Sequence, residues 1–148
     1  MHRITIVVSI AVLLGTATAC NSGRHSAAGF RLPANGDVAR GKAAFVSFGC
    51  NGCHEVSGVD LPQPTVQPPV IVALGGEVPR QMTDGYLVTS IINPSYELAA
   101  YPKEQITVNG KSRMPDYIDR LTVQQLNDLV AFLQSRYTVR QAMPRPAY

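Results

Sequence analysis

Two cysteines and a histidine lie close together in the first half of the chain, in the run Cys50-Asn51-Gly52-Cys53-His54. This C-x-x-C-H spacing is the attachment signal for a covalent c-type haem. Two thiols three positions apart can add to the two vinyl groups of one porphyrin, and the adjacent histidine then lies under the iron as a proximal ligand. The sequence therefore predicts one covalently bound haem c, held by Cys50, Cys53 and His54.

Two other chemistries also use paired cysteines. A structural zinc site needs about four nitrogen or sulfur ligands, and the chain adds only Cys20 and His25, which lie in a region typical of a leader and linker. A thioredoxin-like dithiol would be expected within βαβ patterning, which is not found around residues 50–54. The covalent haem is therefore preferred over a zinc site or a redox dithiol.

Residues 1–19 have the pattern of a secretory signal peptide. Met1-His2-Arg3 is a short basic start, an apolar stretch runs from Ile4 to Leu14, and small residues follow it. The apolar stretch is shorter than the roughly 20 residues of a membrane-spanning helix. We therefore expect the signal to be removed and the mature chain to lie on the periplasmic side of a membrane.

Cys20 directly follows Ala17-Thr18-Ala19 and resembles the cysteine of a bacterial lipobox, which is lipidated and becomes the first mature residue. Ordinary cleavage after Ala19 is the alternative, and it would leave a free thiol on a soluble secreted protein. Lipidation uses the thiol of Cys20, which would otherwise remain as an unpaired cysteine of a secreted protein. A membrane-anchored lipoprotein is therefore predicted. Residues 20–34 then comprise the lipidated cysteine and a flexible tether rich in Ser, Gly and Ala.

One domain of about 100 residues remains, at positions 35–137, a normal domain size. Residues 138–148 contain Pro144 and Pro146 and are expected to form an extended tail. The chain has 13 basic and 10 acidic residues, a net charge of +3. Because nucleic-acid binding usually needs a strongly basic face, no nucleic-acid partner is expected.

Three stretches of the domain have the apolar periodicity of helices. The first is capped by Asn35 or Asp37 and ends near Phe48, and the second covers 84–93. The third covers 122–136 and opens with a capping box, Thr122-x-x-Gln125.

The connections between these helices are expected to be long and irregular. Five prolines forbid a long helix in residues 60–79, where the apolar run 70–74 is either a short strand or a cover for the porphyrin. Residues 97–113 are expected to turn at Asn109-Gly110. The predicted fold class is therefore all-α, with three to four helices around one haem.

The haem motif and the helices predicted around it resemble class I cytochromes c, a small helical fold with a histidine–methionine haem. Gly41-Lys42-x-x-Phe45 is similar to the family's first helix, and Leu129-Val130-Ala131-Phe132-Leu133 is similar to its last. In that family the two helices cross through a glycine and an aromatic residue, which implies that Gly41 meets Phe132. The resemblance implies an electron carrier rather than an enzyme, since the iron cycles between Fe(III) and Fe(II) and no substrate is transformed.

A second group of residues is similar to the cytochrome c domain fused to subunit II of some haem–copper oxidases. The group comprises Asp84-Gly85-x-Leu87, Ser90-Ile91-Ile92-Asn93-Pro94, Tyr101-Pro102 and Arg113-Met114-Pro115-x-Tyr117. The chain leaves no room for that subunit's copper domain, so a stand-alone relative is implied. Its expected partners are redox proteins, namely a quinol-oxidising complex, a dehydrogenase or a haem–copper oxidase.

An iron held by His54 needs a ligand on its other side. The predicted domain contains no other histidine, and Met82, Met114 and Met143 are the methionines besides the initiator. Met143 lies in the tail, and Met82 is a possible core filler. Met114 precedes Pro115, which favours an extended backbone, and the pair also matches the family's Met-Pro ligand. Met114 is therefore predicted, with Met82 or an open position as alternatives.

The resemblance also implies supporting residues around the haem. In the family a proline carbonyl accepts a hydrogen bond from the proximal histidine and orients it, and Pro68 and Pro69 are the candidates here. Four polar residues are candidates for hydrogen bonds to the haem propionates: Tyr101, Lys103, Arg113 and Tyr117.

Three other functions remain open at this point. The chain could be a haem subunit of a periplasmic dehydrogenase or terminal oxidase complex, a small haem enzyme or sensor with an open distal site, or a non-haem thiol protein. Co-purification with a catalytic subunit would indicate the first, a vacant iron position the second, and the absence of a covalent chromophore the third.

Overall fold

The computed structural model describes residues 30–141. Within them lie four α-helices: α1 (Val38–Ser47), α2 (Asp84–Ile92), α3 (Lys103–Ile106) and α4 (Val123–Gln134). A short 3₁₀ helix, Cys50–Gly52, carries the first cysteine of the haem motif. The predicted signal peptide, Cys20 and Met143 lie outside the described residues.

Six short strands accompany these helices and form three two-stranded sheets in residues 30–141. The parallel pairs are β1 (His54–Val56) with β2 (Val72–Leu74) and β3 (Gly76–Val78) with β6 (Tyr137–Val139), and the antiparallel pair is β4 (Thr107–Val108) with β5 (Lys111–Ser112). The mainly helical part of the predicted fold is confirmed, but the all-α class is only partly correct because of these strands. Strand β6 also continues two residues beyond the predicted domain end at 137.

Strand β2 lies within the apolar run 70–74, for which a short strand was one of the two expectations. The other strands are too short to be predicted from periodicity, because a run of two or three residues does not establish an alternating pattern. The predicted turn is nevertheless present, since Asn109 and Gly110 have φ values of 52° and 77°. Positive φ at both central residues is typical of a two-residue β-hairpin. The turn therefore joins β4 to β5, in a stretch that the sequence predicted to be irregular.

Side-chain caps define the starts of the two main helices. The Asp37 carboxylate accepts a hydrogen bond from the backbone N–H of Arg40, so Asp37 rather than Asn35 caps α1. At the start of α4, Thr122 Oγ1 accepts from the Gln125 backbone N–H, while Gln125 Oε1 accepts from the Thr122 N–H at 2.9 Å. The predicted capping box is therefore confirmed.

Helices α1 and α4 approach each other most closely at Gly41. A Cβ atom built on Gly41 would lie 2.0 Å from the Asp128 carbonyl oxygen and 2.7 Å from the Cβ of Phe132. One turn further along α1, the Phe45 ring meets the Phe132 ring edge-on, with 5.6 Å between centroids. The expected contact between Gly41 and Phe132 is confirmed, and only glycine fits at this position.

The buried carboxylate of Asp128 links the same two helices. It accepts hydrogen bonds at 2.8 Å from the Asp37 backbone N–H, the Arg40 guanidinium and the Gln124 side-chain amide. These partners, Arg40 above all, lower the pKa of Asp128 from its ordinary 3.8 to about 2. Because the folded pKa is depressed, this stabilisation is present above about pH 4 and is lost as the pH falls toward 2.

Replacing Gly41 with alanine is expected to lower the free energy of unfolding by about 3 kcal/mol, because the new methyl group would overlap the α4 backbone. Urea unfolding of the variant and the wild type measures this difference.

The matched control is Gly85→Ala in α2, where a Cβ would meet only Phe30, at 3.5 Å. Alanine forms helix better than glycine, so this change should be neutral or stabilise the protein by up to about 1 kcal/mol. A Gly41→Ala protein as stable as the wild type would contradict the close helix crossing.

Candidate functional site

The chemically active residues predicted from the sequence border one cavity of about 510 Å³. Cys50, Cys53, His54 and Met114 all contribute to its wall. Its volume falls within the range of about 300–1,000 Å³ that is typical of cofactor sites. The three long helices supply much of the apolar wall, through Phe45, Leu87, Ile91, Leu129 and Leu133.

The end of α1 directs the two cysteines to the cavity. Gly49 has a φ of 72°, a left-handed conformation that turns the chain from α1 into the 3₁₀ helix. Cys50 consequently packs against the hydrophobic core, whereas Cys53 is exposed. Both are free thiols, as attachment to a porphyrin requires. Burial raises the pKa of the Cys50 thiol to about 11, so this thiol is protonated at neutral pH before attachment.

The ring of His54 is oriented by the pairing of β1 with β2. Its Nδ1 lies 3.3 Å from the carbonyl oxygen of Val72, the residue opposite His54 in the parallel register. When Nδ1 carries the proton and donates it, the lone pair of Nε2 is free to bind a metal. Burial lowers the pKa of His54, against a smaller opposing effect of the Val72 carbonyl, so burial favours the neutral, ligand-competent ring.

The family resemblance implied a carbonyl of Pro68 or Pro69 as the acceptor of this hydrogen bond. Both prolines border the cavity, but the bond to His54 is made by Val72. The difference follows from strand pairing, which places Val72 opposite the histidine. No side-chain pattern identifies a backbone acceptor, so no signal in the sequence could have identified Val72.

Met114 reaches the cavity at the end of the β4–β5 hairpin. The backbone N–H of Arg113 donates to the Ile106 carbonyl at 2.8 Å, and that of Met114 donates to Ser112 Oγ at 3.1 Å. The Met114 side chain packs against the hydrophobic core. Met82 also borders the cavity, so the structure brings both candidate methionines to the site.

The polar residues predicted near the haem propionates occupy different environments. Tyr101 and Arg113 border the cavity, and the Arg113 guanidinium also donates to the Glu104 carbonyl at 3.4 Å. Lys103 is exposed at the start of α3. Tyr117 is buried at the cavity wall. Its hydroxyl donates a hydrogen bond to the backbone carbonyl of Phe48, at the end of α1.

The cytochrome c family model matches residues 38–136, which is more than half of the chain and spans α1 to the end of α4. The chain therefore belongs to the cytochrome c family, whose members carry covalently bound haem c and transfer electrons. No curated protein and no solved structure matches the chain.

The described residues fit this cofactor. Two free thiols and a largely neutral imidazole border one apolar cavity of suitable size.

None of the helices in residues 30–141 has both the length and the apolar character that a membrane span requires.

Replacing both Cys50 and Cys53 with alanine is expected to leave any bound haem extractable by acidified acetone, because no thioether bond can then form. Wild-type protein should keep its haem under the same treatment, as should the Met114→Ala control, which retains both thiols. Absorption of the extracted and protein-bound fractions measures the outcome. Loss of haem from the wild type would contradict covalent attachment.

Proposed function

We propose that the chain is a monohaem electron carrier in which His54 and Met114 would ligate the haem iron, anchored to a membrane through lipid on Cys20. The observation that supports this most is that Cys50, Cys53, His54 and Met114 border one apolar cavity. When bound, the haem supplies one-electron exchange between Fe(III) and Fe(II). The residues of the chain bind it, orient its ligands and exclude water.

His54 contributes a neutral imidazole whose orientation is fixed by the Val72 carbonyl. A hydrogen bond of this kind raises the basicity of the ligating ring and holds its plane. The thioether of Met114 is a softer ligand that favours the reduced state and raises the reduction potential. The apolar helical wall also favours the state of lower charge, since it keeps water from the site.

The proposed partners are other redox proteins: a quinol-oxidising complex, a dehydrogenase or a haem–copper oxidase. The similarity of residues 84–94 and 113–117 to the cytochrome c domain of oxidase subunit II supports this choice. Exposure of Cys53 at the edge of the cavity leaves one attachment point open to an approaching partner. Periplasmic placement follows from the proposed signal peptide and lipid anchor.

The ligand assignment is tested by comparing Met114→Ala with Met82→Ala. The oxidised wild type should show the weak near-infrared sulfur-to-iron absorption band of a thioether ligand. Met114→Ala should lose this band, fall in reduction potential and bind cyanide more readily, because the sixth iron position is no longer filled by sulfur. Spectra and a redox titration of each haem-loaded variant measure these changes.

Met82→Ala serves as the matched control because Met82 borders the same cavity. It should lower stability while preserving the band. Loss of the band in Met82→Ala alone would reverse the assignment. Absence of the band from the wild type would instead indicate an open distal position and favour a small haem enzyme or sensor.

The anchor is tested on the mature N-terminus. Mass spectrometry should find a diacylglyceryl group on Cys20 of the membrane fraction, because Ala17-Thr18-Ala19-Cys20 is similar to a lipobox. Cys20→Ser should release the cytochrome in soluble form. An unmodified Cys20 in the mature wild type would contradict the anchor and leave a soluble periplasmic carrier.

A further inference from the structure

We infer that Tyr117 is a positioning residue that holds the Met114 loop against the haem-attachment segment. The inference rests on the proposed ligation by Met114, and it goes beyond that proposal by identifying the contact that keeps the ligand in place. Here the Met114 loop means residues 113–117, and the attachment segment means residues 48–54.

Tyr117 connects these two segments directly. It lies three residues after Met114, and only 7% of its surface is exposed. Its hydroxyl donates a hydrogen bond to the Phe48 carbonyl oxygen at 3.2 Å. The two rings also meet edge-on, with 6.0 Å between centroids. Phe48 ends α1 two residues before Cys50, so the contact joins the loop to the segment that carries the porphyrin.

The hydrogen bond also stabilises the attachment segment, because its acceptor is the carbonyl of Phe48 at the end of α1. The last carbonyl groups of an α-helix have no partner within the helix, and Phe48 is the C-cap residue of α1. The Tyr117 hydroxyl satisfies this carbonyl.

Tyr117 is also the first buried residue after Met114 in the chain. Pro115 and Asp116 between them are exposed. The Tyr117 carbonyl accepts hydrogen bonds from the N–H groups of Arg120 and Leu121, at 3.0 and 3.2 Å. The Arg120 guanidinium carbon lies 6.0 Å from the centre of the Tyr117 ring. Contacts to both its backbone and its ring therefore hold Tyr117 in place.

These contacts predict that the hydroxyl restrains opening of the Met114 loop. With Met114 as the proposed ligand, a small external ligand would bind the iron on this side only once the Met114 sulfur has moved away. The loss of one hydrogen bond of ordinary strength is expected to increase the population of the open loop by about three- to tenfold. The apparent affinity for an external ligand should rise by the same factor, because it is proportional to that population.

The experiment compares imidazole binding to oxidised, haem-loaded wild type and Tyr117→Phe, which keeps the ring and removes only the hydroxyl. We expect Tyr117→Phe to retain the sulfur-to-iron band without imidazole and to bind imidazole about three- to tenfold more tightly. Tyr96→Phe is the matched control, because Tyr96 is 74% exposed and does not border the cavity. It should bind imidazole like the wild type.

A second control separates positioning from a general loss of stability. Asp37→Ala removes the cap of α1 at the end opposite Phe48, so it should lower the unfolding midpoint without changing imidazole affinity. Wild-type affinity in Tyr117→Phe would overturn the inference, and so would an equal rise in Asp37→Ala. Persistence of the band in Met114→Ala would overturn the ligand assignment itself, so the two failures are distinguishable.

Discussion

The close approach of α1 and α4 at Gly41 is the constraint on which the rest of the structure depends. A side chain at this position would overlap the Asp128 carbonyl, so the two helix backbones are in contact there. Phe45 and Phe132 fill the space beside the glycine, and the carboxylate of Asp128 in α4 accepts a hydrogen bond from Arg40 in α1. Because α1 leads directly into the attachment segment, this crossing determines where the haem motif lies relative to the apolar wall from α4.

The features predicted correctly from the sequence are those encoded by neighbouring side chains. The capping box at Thr122 and the turn at Asn109-Gly110 each need only a few consecutive residues, and both are present. The contact between Gly41 and Phe132 was also predicted, although these residues are far apart in the chain. That prediction required resemblance to a known family, because nothing local to either residue specifies the other.

Features that depend on backbone pairing could not be predicted in the same way. The acceptor for His54 is the Val72 carbonyl, and every residue type has such a carbonyl. Its selection depends on the register of β1 with β2, two strands of three residues each. Tyr117 illustrates a related limit. Its residue type indicated a hydrogen bond near the haem, but its partner is the Phe48 backbone, which only the packed structure identifies.

The two sides of the proposed haem site differ in how firmly the chain holds them. His54 lies next to Cys53 in sequence and in a strand paired to β2, so backbone pairing and the proposed covalent attachment both restrain it. Met114 is restrained by the hairpin that precedes it and by Tyr117 that follows it. Two exposed residues separate Met114 from Tyr117. Fewer restraints mean a lower free energy of local opening. Changes that loosen the site should therefore act first on Met114, and with Met114 as the proposed ligand the reduction potential and the access of external ligands would vary while the haem stays bound.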